Sequence, residues 1–410
     1  MNEKYTAKTA RMPYRLSAIG AAMLAGSVLV AAGAPARAAE ETAAAEGKFT
    51  IGGALRARYD YSFDYEDDIS KLSFDTFRIT LNYDSPTFYG SAQYRFYGSA
   101  YPYDYTSRIG RINFPEWAWV GYKLGDDTRV VAGINQIPFG VLPYVSSTFY
   151  QTMINAIGLE DVHNLGIKLQ HTAGPLDVQL GFYPTDGGNW SGTSRDANRY
   201  SVNVVRADDS VTGGSSNDER NMVVGRLAYT LQHGEEAKSE LGISALHSTL
   251  HNYDTGRDGR RKAYALHYGG SYGALRVLAE AGRQKMTPRN PSATGNDTIT
   301  FGAYDGSFNV AAKGNFYSGE LSYTLPGSYG PVSGITPYLN YSVFTKDRSG
   351  FKDSQRVIAG AHFSAGPLYI YTEMRWGRND PYTGDYTNGA AAGGDDRWKK
   401  VFYANIGYYF

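Results

Sequence analysis

The chain ends with Val401-Phe-Tyr-Ala-Asn-Ile-Gly-Tyr-Tyr-Phe410, ten residues that predict a strand with two different faces. The positions that alternate from Phe402 to Phe410 are apolar, whereas the other face includes Tyr403 and Asn405. Chain ends of soluble domains usually fray into water, where a terminal Phe is unfavourable. A strand that closes a barrel in a membrane can use both faces, because one meets lipid and the other meets water. We therefore expect a transmembrane barrel, with the last strand of a soluble sandwich as the alternative.

The beginning of the chain has the pattern of a secretory signal peptide. Residues 1–15 carry four basic residues against Glu3, and a stretch of small and apolar residues follows over 16–34. The sequence Ala36-Arg37-Ala38 then matches an A-x-A cleavage site, and a membrane-anchoring helix is the alternative reading. We expect residues 1–38 to be a signal peptide, 39–48 a short periplasmic segment and 49–410 the transmembrane β-barrel.

Composition excludes several classes of function. The chain has no Cys, so disulfides, thiolate metal sites and a Cys nucleophile are absent. Removal of residues 1–38, which hold five basic residues and one acidic residue, leaves 35 basic and 39 acidic residues. This balance excludes a strongly basic nucleic-acid-binding protein. The 35 Tyr and 18 Phe suit aromatic girdles at two membrane interfaces, and the mean hydropathy of −0.41 suits strands in which alternate residues face lipid.

The expected barrel has about 16 antiparallel strands, since an even number is typical of bacterial barrels. Segment 298–310 could be a further strand, and we assign it to a structured loop. Tight Gly, Pro or Asp turns alternate with longer connections, the longest being 184–219, which predicts a short-turn periplasmic rim and a long-loop extracellular rim. The predicted strands are 49–61, 74–83, 88–97, 115–123, 128–135, 165–172, 175–183, 220–231, 239–250, 261–271, 274–284, 316–324, 335–344, 355–363, 367–376 and 400–410.

A barrel of this size is too wide for side chains alone to fill, so we expect an aqueous lumen. This geometry predicts passive diffusion of small hydrophilic solutes. Because a charge facing lipid near the bilayer centre costs about 2–4 kcal/mol, the charged residues of the strands should point inward. The inward set predicted in this way is Arg56, Arg58, Arg78, Arg95, Glu373 and Arg375.

The third long connection, 136–164, is rich in Ile, Leu, Val, Phe and Met and contains no Lys or Arg between Gln136 and Asn164. Such a loop is poorly suited to free solvent, so we expect it to fold into the barrel and narrow it, with a packed extracellular cap as the alternative. Glu160 and Asp161 are expected to face the inward arginines and to create a transverse field that orders polar solutes. Tyr144, Phe149 and Tyr150 would then line the constriction.

Several motifs resemble phosphate-selective porin O/P-like proteins. They are Gly133-Ile-Asn-Gln-Ile-Pro-Phe-Gly140 with Leu165-Gly-Ile-Lys-Leu169 downstream, Phe74-Asp-Thr-Phe-Arg-Ile79 and Trp117-Ala-Trp-Val-Gly-Tyr122. The resemblance implies a 16-stranded, trimeric outer-membrane porin with an inward third loop. In that family the constriction carries Lys and Arg, which loop 136–164 lacks, so phosphate specificity is not carried over. The inward arginines instead suggest a mild preference for anions.

Other functions remain open from the sequence. A carbohydrate-selective pore is the nearest alternative, because Tyr144, Phe149 and Tyr150, together with inward Tyr369 and Tyr371, could offer flat faces to sugar rings. An enzyme is not expected, since only His163 lies near an acid in a possible interior loop and no catalytic motif is present. An adhesin barrel would be narrower or carry an added domain. We expect no cofactor, and as partners outer-membrane lipid, lipopolysaccharide, small solutes or ions, and two further copies of the chain.

Overall fold

The computed structural model describes residues 47–64, 69–99 and 102–410. The expected signal peptide and most of segment 39–48 lie outside the described residues. Within this part of the chain no helix is long and apolar enough to cross a membrane. The elements are β1 (Lys48–Ser62), β2 (Ser70–Asp84), β3 (Phe88–Tyr97), β4 (Asn113–Lys123), β5 (Thr128–Gln136), α1 (Met153–Ala156), β6 (His163–Ala173), β7 (Leu176–Thr185), β8 (Asn203–Val204), β9 (Asn217–Gln232), β10 (Ala237–Asn252), β11 (Arg257–Tyr272), β12 (Leu275–Thr287), β13 (Thr298–Ala303), β14 (Gly306–Ala311), β15 (Lys313–Tyr323), β16 (Ser328–Tyr329), β17 (Val332–Lys346), β18 (Ser354–Ala365), β19 (Leu368–Arg378) and β20 (Trp398–Tyr409).

The strands form a closed antiparallel barrel with 16 wall strands. Each wall strand pairs with the next along the chain, and β20 returns to pair with β1 from Ala54↔Tyr409 to Ser62↔Val401. The terminal Phe410 completes this seam, because its carbonyl accepts a hydrogen bond from the Gly53 amide at 2.9 Å. Closure leaves no unpaired sheet edge, which is the condition for a sheet to lie in lipid. The two-residue β16 pairs only with the start of β17.

All 16 predicted strands are confirmed, and segment 298–310 is not a wall strand. It folds as the β13–β14 hairpin, which pairs with β8 in a separate three-stranded sheet. Both faces of this hairpin are largely buried, which explains why its sequence lacks the alternation of the wall strands. The predicted connection of about ten residues between β10 and β11 is only 253–256, because their ladder continues to Asn252↔Arg257.

The barrel reverses the usual arrangement of polar and apolar side chains in a soluble domain. Buried side chains on the inner face of the wall include Arg56, Arg58, Asp60, Arg95, Arg226, Arg261, Glu280, Glu320, Arg356, Glu373 and Asn405. Exposed side chains on the outer face include Ile51, Leu55, Val120, Ile167, Leu180, Val223, Leu241, Leu266, Leu321, Leu339 and Ile406. This pattern matches an outer surface that contacts lipid.

Several connections on the long-loop rim fill part of the barrel interior. The connection 137–162 between β5 and β6, called L3 below, contributes buried Ile154, Ile157 and Leu159 to an apolar cluster. The same cluster contains Phe301 of β13 and Leu250 of the wall strand β10. Loop and wall therefore pack against each other on the β9–β17 side of the barrel.

A charge on the outer face should destabilise the barrel in a depth-dependent way. Leu266 lies in the middle of β11 and is 63% exposed. We expect Leu266→Arg to lower the free energy of unfolding in lipid vesicles by about 2–4 kcal/mol, and Tyr272→Arg at the end of the same face by about 0–1 kcal/mol. Denaturant titration followed by tryptophan fluorescence measures both values. Equal losses for the two variants would contradict a lipid-facing outer surface.

Candidate functional site

The backbone of L3 is held by carboxylates of the barrel wall. Glu280 of β12 accepts a hydrogen bond from the Val141 amide at 2.9 Å. Both carboxylate oxygens of Glu320, on β15, accept from the Ser147 amide at 2.9 and 2.8 Å. These three contacts fix the first half of L3 to the wall opposite the strand from which it leaves.

Glu373 provides a further anchor on β19. It accepts hydrogen bonds from the Phe149 amide at 2.5 Å and from the Tyr338 hydroxyl at 2.7 Å. The sequence predicted Glu373 as a pore-lining charge. Its side chain is only 1% exposed, and one carboxylate oxygen accepts both hydrogen bonds. The structure therefore places it as a support of L3.

Wall arginines hold the carbonyl groups of L3. Arg356 of β18 donates to the carbonyls of Tyr150, Gln151 and Thr152, each at 3.1 Å. Its other nitrogens bind Asp380 in the connection 379–397 at 2.6 and 2.8 Å. Burial acts to raise the pKa of Asp380, but the attraction of Arg356 outweighs it and lowers the pKa below the usual range.

Arg261 of β11 binds carbonyl groups in the second half of L3. It donates to the carbonyls of Ile157 and Gly158 at 3.0 and 2.8 Å, and it pairs with Glu219 at 2.9 Å. Arg226 of β9 reaches the carbonyl of Gly140 at 2.8 Å. L3 contains no cation of its own, so the basic groups that satisfy its carbonyls come from the wall.

Glu160 does not face the inward arginines as the sequence predicted. Its carboxylate accepts hydrogen bonds from the Val145 amide at 3.1 Å and from the Thr152 amide and hydroxyl at 2.9 and 2.7 Å. Thr152 in turn caps α1 by accepting from the Ile154 amide at 3.0 Å. Burial raises the pKa of Glu160, whose role is to brace L3 internally.

Asp161 contacts Tyr200, whose ring packs on Arg95, one of the inward arginines that Asp161 was expected to face. It accepts hydrogen bonds from the Tyr200 hydroxyl at 2.5 Å and from the Gln151 side chain at 2.6 Å. The guanidinium of Arg95 lies 4.4 Å from the centre of the Tyr200 ring. Arg95 also forms an ion pair with Glu116 of β4, so its charge is already balanced.

Arg56 and Arg58 point into the barrel and are both paired with wall carboxylates. Arg56 lies 2.6 Å from Asp75, and Arg58 lies 2.6 Å from Asp60 and 3.7 Å from Asp75. Arg58 also donates to the Tyr150 hydroxyl at 2.7 Å. Each cation therefore has a carboxylate partner within the same wall.

These arginines and Arg375 stack with aromatic rings of L3 and β20. Arg56 lies 4.7 Å from the Phe149 ring and Arg375 lies 3.7 Å from the Tyr150 ring. Both rings in turn contact Tyr403, with centroids 4.7 and 4.8 Å apart. Phe149 and Tyr150 are thus packed between cations, which joins L3 to the seam of the barrel.

Arg78 and Tyr144 differ from the other predicted residues. Arg78 is half-buried on β2, in register with Ala54 and Arg95, and forms no ion pair within the described residues. Tyr144 lies in L3 and is 40% exposed. These two side chains therefore remain more accessible than the packed arginine and aromatic residues.

Sequence reasoning missed the carboxylates that neutralise the arginines. Asp60 shares the inward face of Arg56 and Arg58, so its position could have been read from period two. The inward position of Asp75 could not be predicted from period two. The β1–β2 register shifts between Arg56 and Ala57, which brings Asp75 and Thr76 to the same side. The anchors Arg261, Glu280, Glu320 and Arg356 follow the inward face of their strands, but nothing in the sequence connects them to L3.

Comparison with solved structures identifies the architecture. The anion-selective porin of Comamonas acidovorans matches with a TM-score of 0.55 and 14% identity, over 89% of this chain and 100% of that chain. The outer-membrane channel DcaP of Acinetobacter baumannii matches with a TM-score of 0.55 and 11% identity, over 91% and 99%. OmpT of Vibrio cholerae, an outer-membrane protein in trimer form, matches with a TM-score of 0.54 and 12% identity, over 89% and 99%. No protein-family model and no curated protein sequence matches the chain. The fold is that of outer-membrane porins.

Removal of a carboxylate anchor should loosen L3. In Glu320→Ala the Ser147 amide loses its partner, and a hydrogen bond to a charged group is worth about 1.5–3 kcal/mol. We expect faster hydrogen exchange of the L3 amides, measured by mass spectrometry of the detergent-solubilised protein. Glu235→Ala in the turn 233–236 removes the same charge away from L3 and should leave this exchange unchanged. Unaltered exchange in Glu320→Ala would contradict the anchoring role.

Arg356 should be among the most important residues for stability. Replacement by Met leaves Asp380 buried without its cation, which costs about 3–5 kcal/mol of unfolding free energy. Arg356→Met combined with Asp380→Asn should recover part of that loss. The exposed Arg397, paired with Asp395 at 2.9 Å, is the control, and Arg397→Met should have no measurable effect. Similar losses in the two single Met variants would exclude this role of Arg356 in stability.

Proposed function

We propose that this protein is an outer-membrane porin through which small hydrophilic solutes diffuse passively, and that L3 forms its constriction. The observation that carries this proposal is the closed barrel with an apolar outer face and a polar inner face, whose third loop is bonded to wall strands on the far side. A sheet with these two faces suits lipid outside and water inside. The porins and channels among the solved structures support this role.

The proposed path is narrow and runs along one side of the barrel. The apolar cluster of L3 and the β13–β14 hairpin lies on the β9–β17 side, and Phe149 and Tyr150 of L3 extend to β1, β19 and β20. Half-exposed inward side chains lie toward the short-turn rim on β18, β19 and β2–β4. They include Arg78, Trp117, Trp119, His362, Tyr369 and Tyr371. We therefore expect a conductance below that of a barrel with an open lumen.

The charges beside this path support a mild preference for anions. Five inward arginines lie on β1–β3 and β19, namely Arg56, Arg58, Arg78, Arg95 and Arg375. Four buried carboxylates lie among them: Asp60, Asp75, Glu116 and Glu373. The balance is a small positive excess, so strong anion selectivity and specificity for phosphate are not proposed.

A carbohydrate-selective pore is the second candidate. Tyr369 and Tyr371 lie side by side with centroids 5.2 Å apart, and His362 stacks on Tyr369 at 5.4 Å. These rings are half-buried on the inner wall and could contact a sugar. Phe149 and Tyr150 give this candidate less support, because both are packed against arginines.

The proposed function also implies a location and an assembly of the protein. We propose export through cleavage after Ala38, insertion in the outer membrane in contact with lipid and lipopolysaccharide, and assembly as a homotrimer. The trimer form of the Vibrio cholerae protein is consistent with such an assembly. No catalytic activity, cofactor or metal is included in the proposal.

Planar-bilayer recording tests the channel directly. Purified protein reconstituted in a bilayer should give discrete ohmic steps in KCl, and proteoliposomes containing it should swell in small sugars or amino acids. A protein that inserts as a folded barrel yet yields neither steps nor swelling would exclude the porin function.

Arg78 should contribute to ion selectivity more than its paired neighbours, because its charge has no carboxylate partner in the described chain. A unit charge a few ångströms from an ion in watery surroundings is worth about 0.5–1 kcal/mol. Arg78→Gln should therefore lower the chloride-to-potassium permeability ratio by about twofold or more. Reversal potentials across a KCl gradient measure this ratio, with Arg397→Gln as control. A ratio that stays the same, or rises, would contradict a role of Arg78 in selectivity.

A further inference from the structure

The inner wall of β3–β5 carries an aromatic surface that the proposed constriction does not use. Trp117 and Trp119 both face the lumen, because they pair in register with the inward Gln93 and Ser91. Tyr89 faces the same side opposite Gly121, and its ring lies 5.3 Å from that of Trp119. These three aromatic side chains are half-buried and belong to the part of the wall between Arg95 and the short-turn rim.

A glycine lets the Tyr89 ring lie against the wall. A Cβ on Gly121 would meet the Tyr89 ring at 2.3 Å, so the ring covers the glycine. The Tyr89 and Trp119 rings meet edge to face, with an angle of 72° between their planes. A further aromatic ring can contact the face of one and the edge of the other, since both arrangements are favourable for aromatic pairs.

Cationic groups stand at the rim end of this surface. Arg129 and Lys123 are paired in register, and each lies 5.7 Å from the centre of the Tyr89 ring. Lys123 is engaged with Asp84 at 2.6 Å and with the Ser85 carbonyl at 2.7 Å. Arg129 is exposed and has no carboxylate within ion-pair distance in the described part of the chain.

A buried donor lies beside these cations. The Tyr89 hydroxyl is buried and has no hydrogen-bond partner within the described residues. Buried polar atoms are rarely unpaired, and such an atom indicates a bound water or ligand group. Arg129 and this hydroxyl could together bind a planar carboxylate, since the guanidinium fork fits two carboxylate oxygens.

We infer that the surface formed by Tyr89, Trp117, Trp119 and Arg129 is a binding site for small aromatic carboxylates. The aromatic ring of the ligand packs against Trp117 and Trp119, and its carboxylate binds at Arg129 beside the Tyr89 hydroxyl. Neutral sugars would use the rings but leave Arg129 without a partner, and inorganic anions would use Arg129 but not the rings. The inference rests on the proposed channel and names the class of solute that it favours.

Benzoate and cyclohexanecarboxylate form the test pair, because they have the same charge and similar size but differ in aromaticity. Each is titrated on both sides of a bilayer containing the protein in KCl, and the concentration that halves the single-channel current is measured. We expect this concentration to be about three- to tenfold lower for benzoate, as aromatic contacts of this kind allow. Calorimetric titration of the detergent-solubilised protein measures the same preference without a channel.

Two variants assign the effect to the site. Trp119→Ala should remove the preference for benzoate over cyclohexanecarboxylate, and Arg129→Gln should weaken the binding of both acids by about tenfold. The matched control is Trp398→Ala with Arg378→Gln, a Trp–Arg pair 5.9 Å apart on the outer face, which should change neither value. Circular dichroism and resistance to denaturation in mild detergent establish that each variant is folded.

The outcomes separate the two proposals. Ohmic steps with equal half-block concentrations for the two acids would overturn the aromatic carboxylate site and leave the porin function intact. Calorimetric preference for benzoate that Trp119→Ala removes, without any ohmic current, would support the site and overturn the channel. Maltose that competes with benzoate at similar concentration would also contradict the site, because it would show that the charge of the ligand has no part in binding.

Discussion

The structure depends on one constraint: the backbone of L3 is buried inside the barrel without regular secondary structure except for α1. Buried amides and carbonyls without partners are costly, and outside α1 the loop supplies only a few backbone hydrogen bonds of its own. The wall supplies them instead, with carboxylates for amides and guanidinium groups for carbonyls. The position of the loop is thereby set by the strands of the closed barrel.

This arrangement also explains how charge is distributed in the barrel. The wall holds the ionised groups and L3 holds apolar side chains, so the loop can pack against the β13–β14 hairpin while its backbone meets charges. Cations left over from anchoring lie on β1–β3, where Asp60, Asp75 and Glu116 compensate most of them. Stability of the loop and the modest field of the proposed path therefore both come from ionised side chains of the wall.

Period two in the sequence was sufficient to place the wall. Alternation in the strands, the parity of turn lengths and the terminal Phe410 predicted 16 strands, because lipid on one side and water on the other impose a strict alternation. The contacts within the candidate site could not all be predicted from this alternation. A bulge moved Asp75 inward against the alternation, and Glu160 turned back into L3 to satisfy Val145 and Thr152. Both departures arise from local hydrogen bonding between residues that no periodic pattern relates.

The division of the interior into two sides gives the aromatic surface of β3–β5 its place in the proposed path. In the proposed channel, the apolar cluster of L3 and the hairpin fills the side of β9–β17, and a solute would pass the half-buried side chains of β2–β5. It would meet Arg78 first from the long-loop side, then Trp117 and Trp119, and last Arg129 near the short-turn rim. Cations at both ends attract an anion while the rings between them attract an apolar plane, so the order of side chains along the wall favours solutes that combine the two properties.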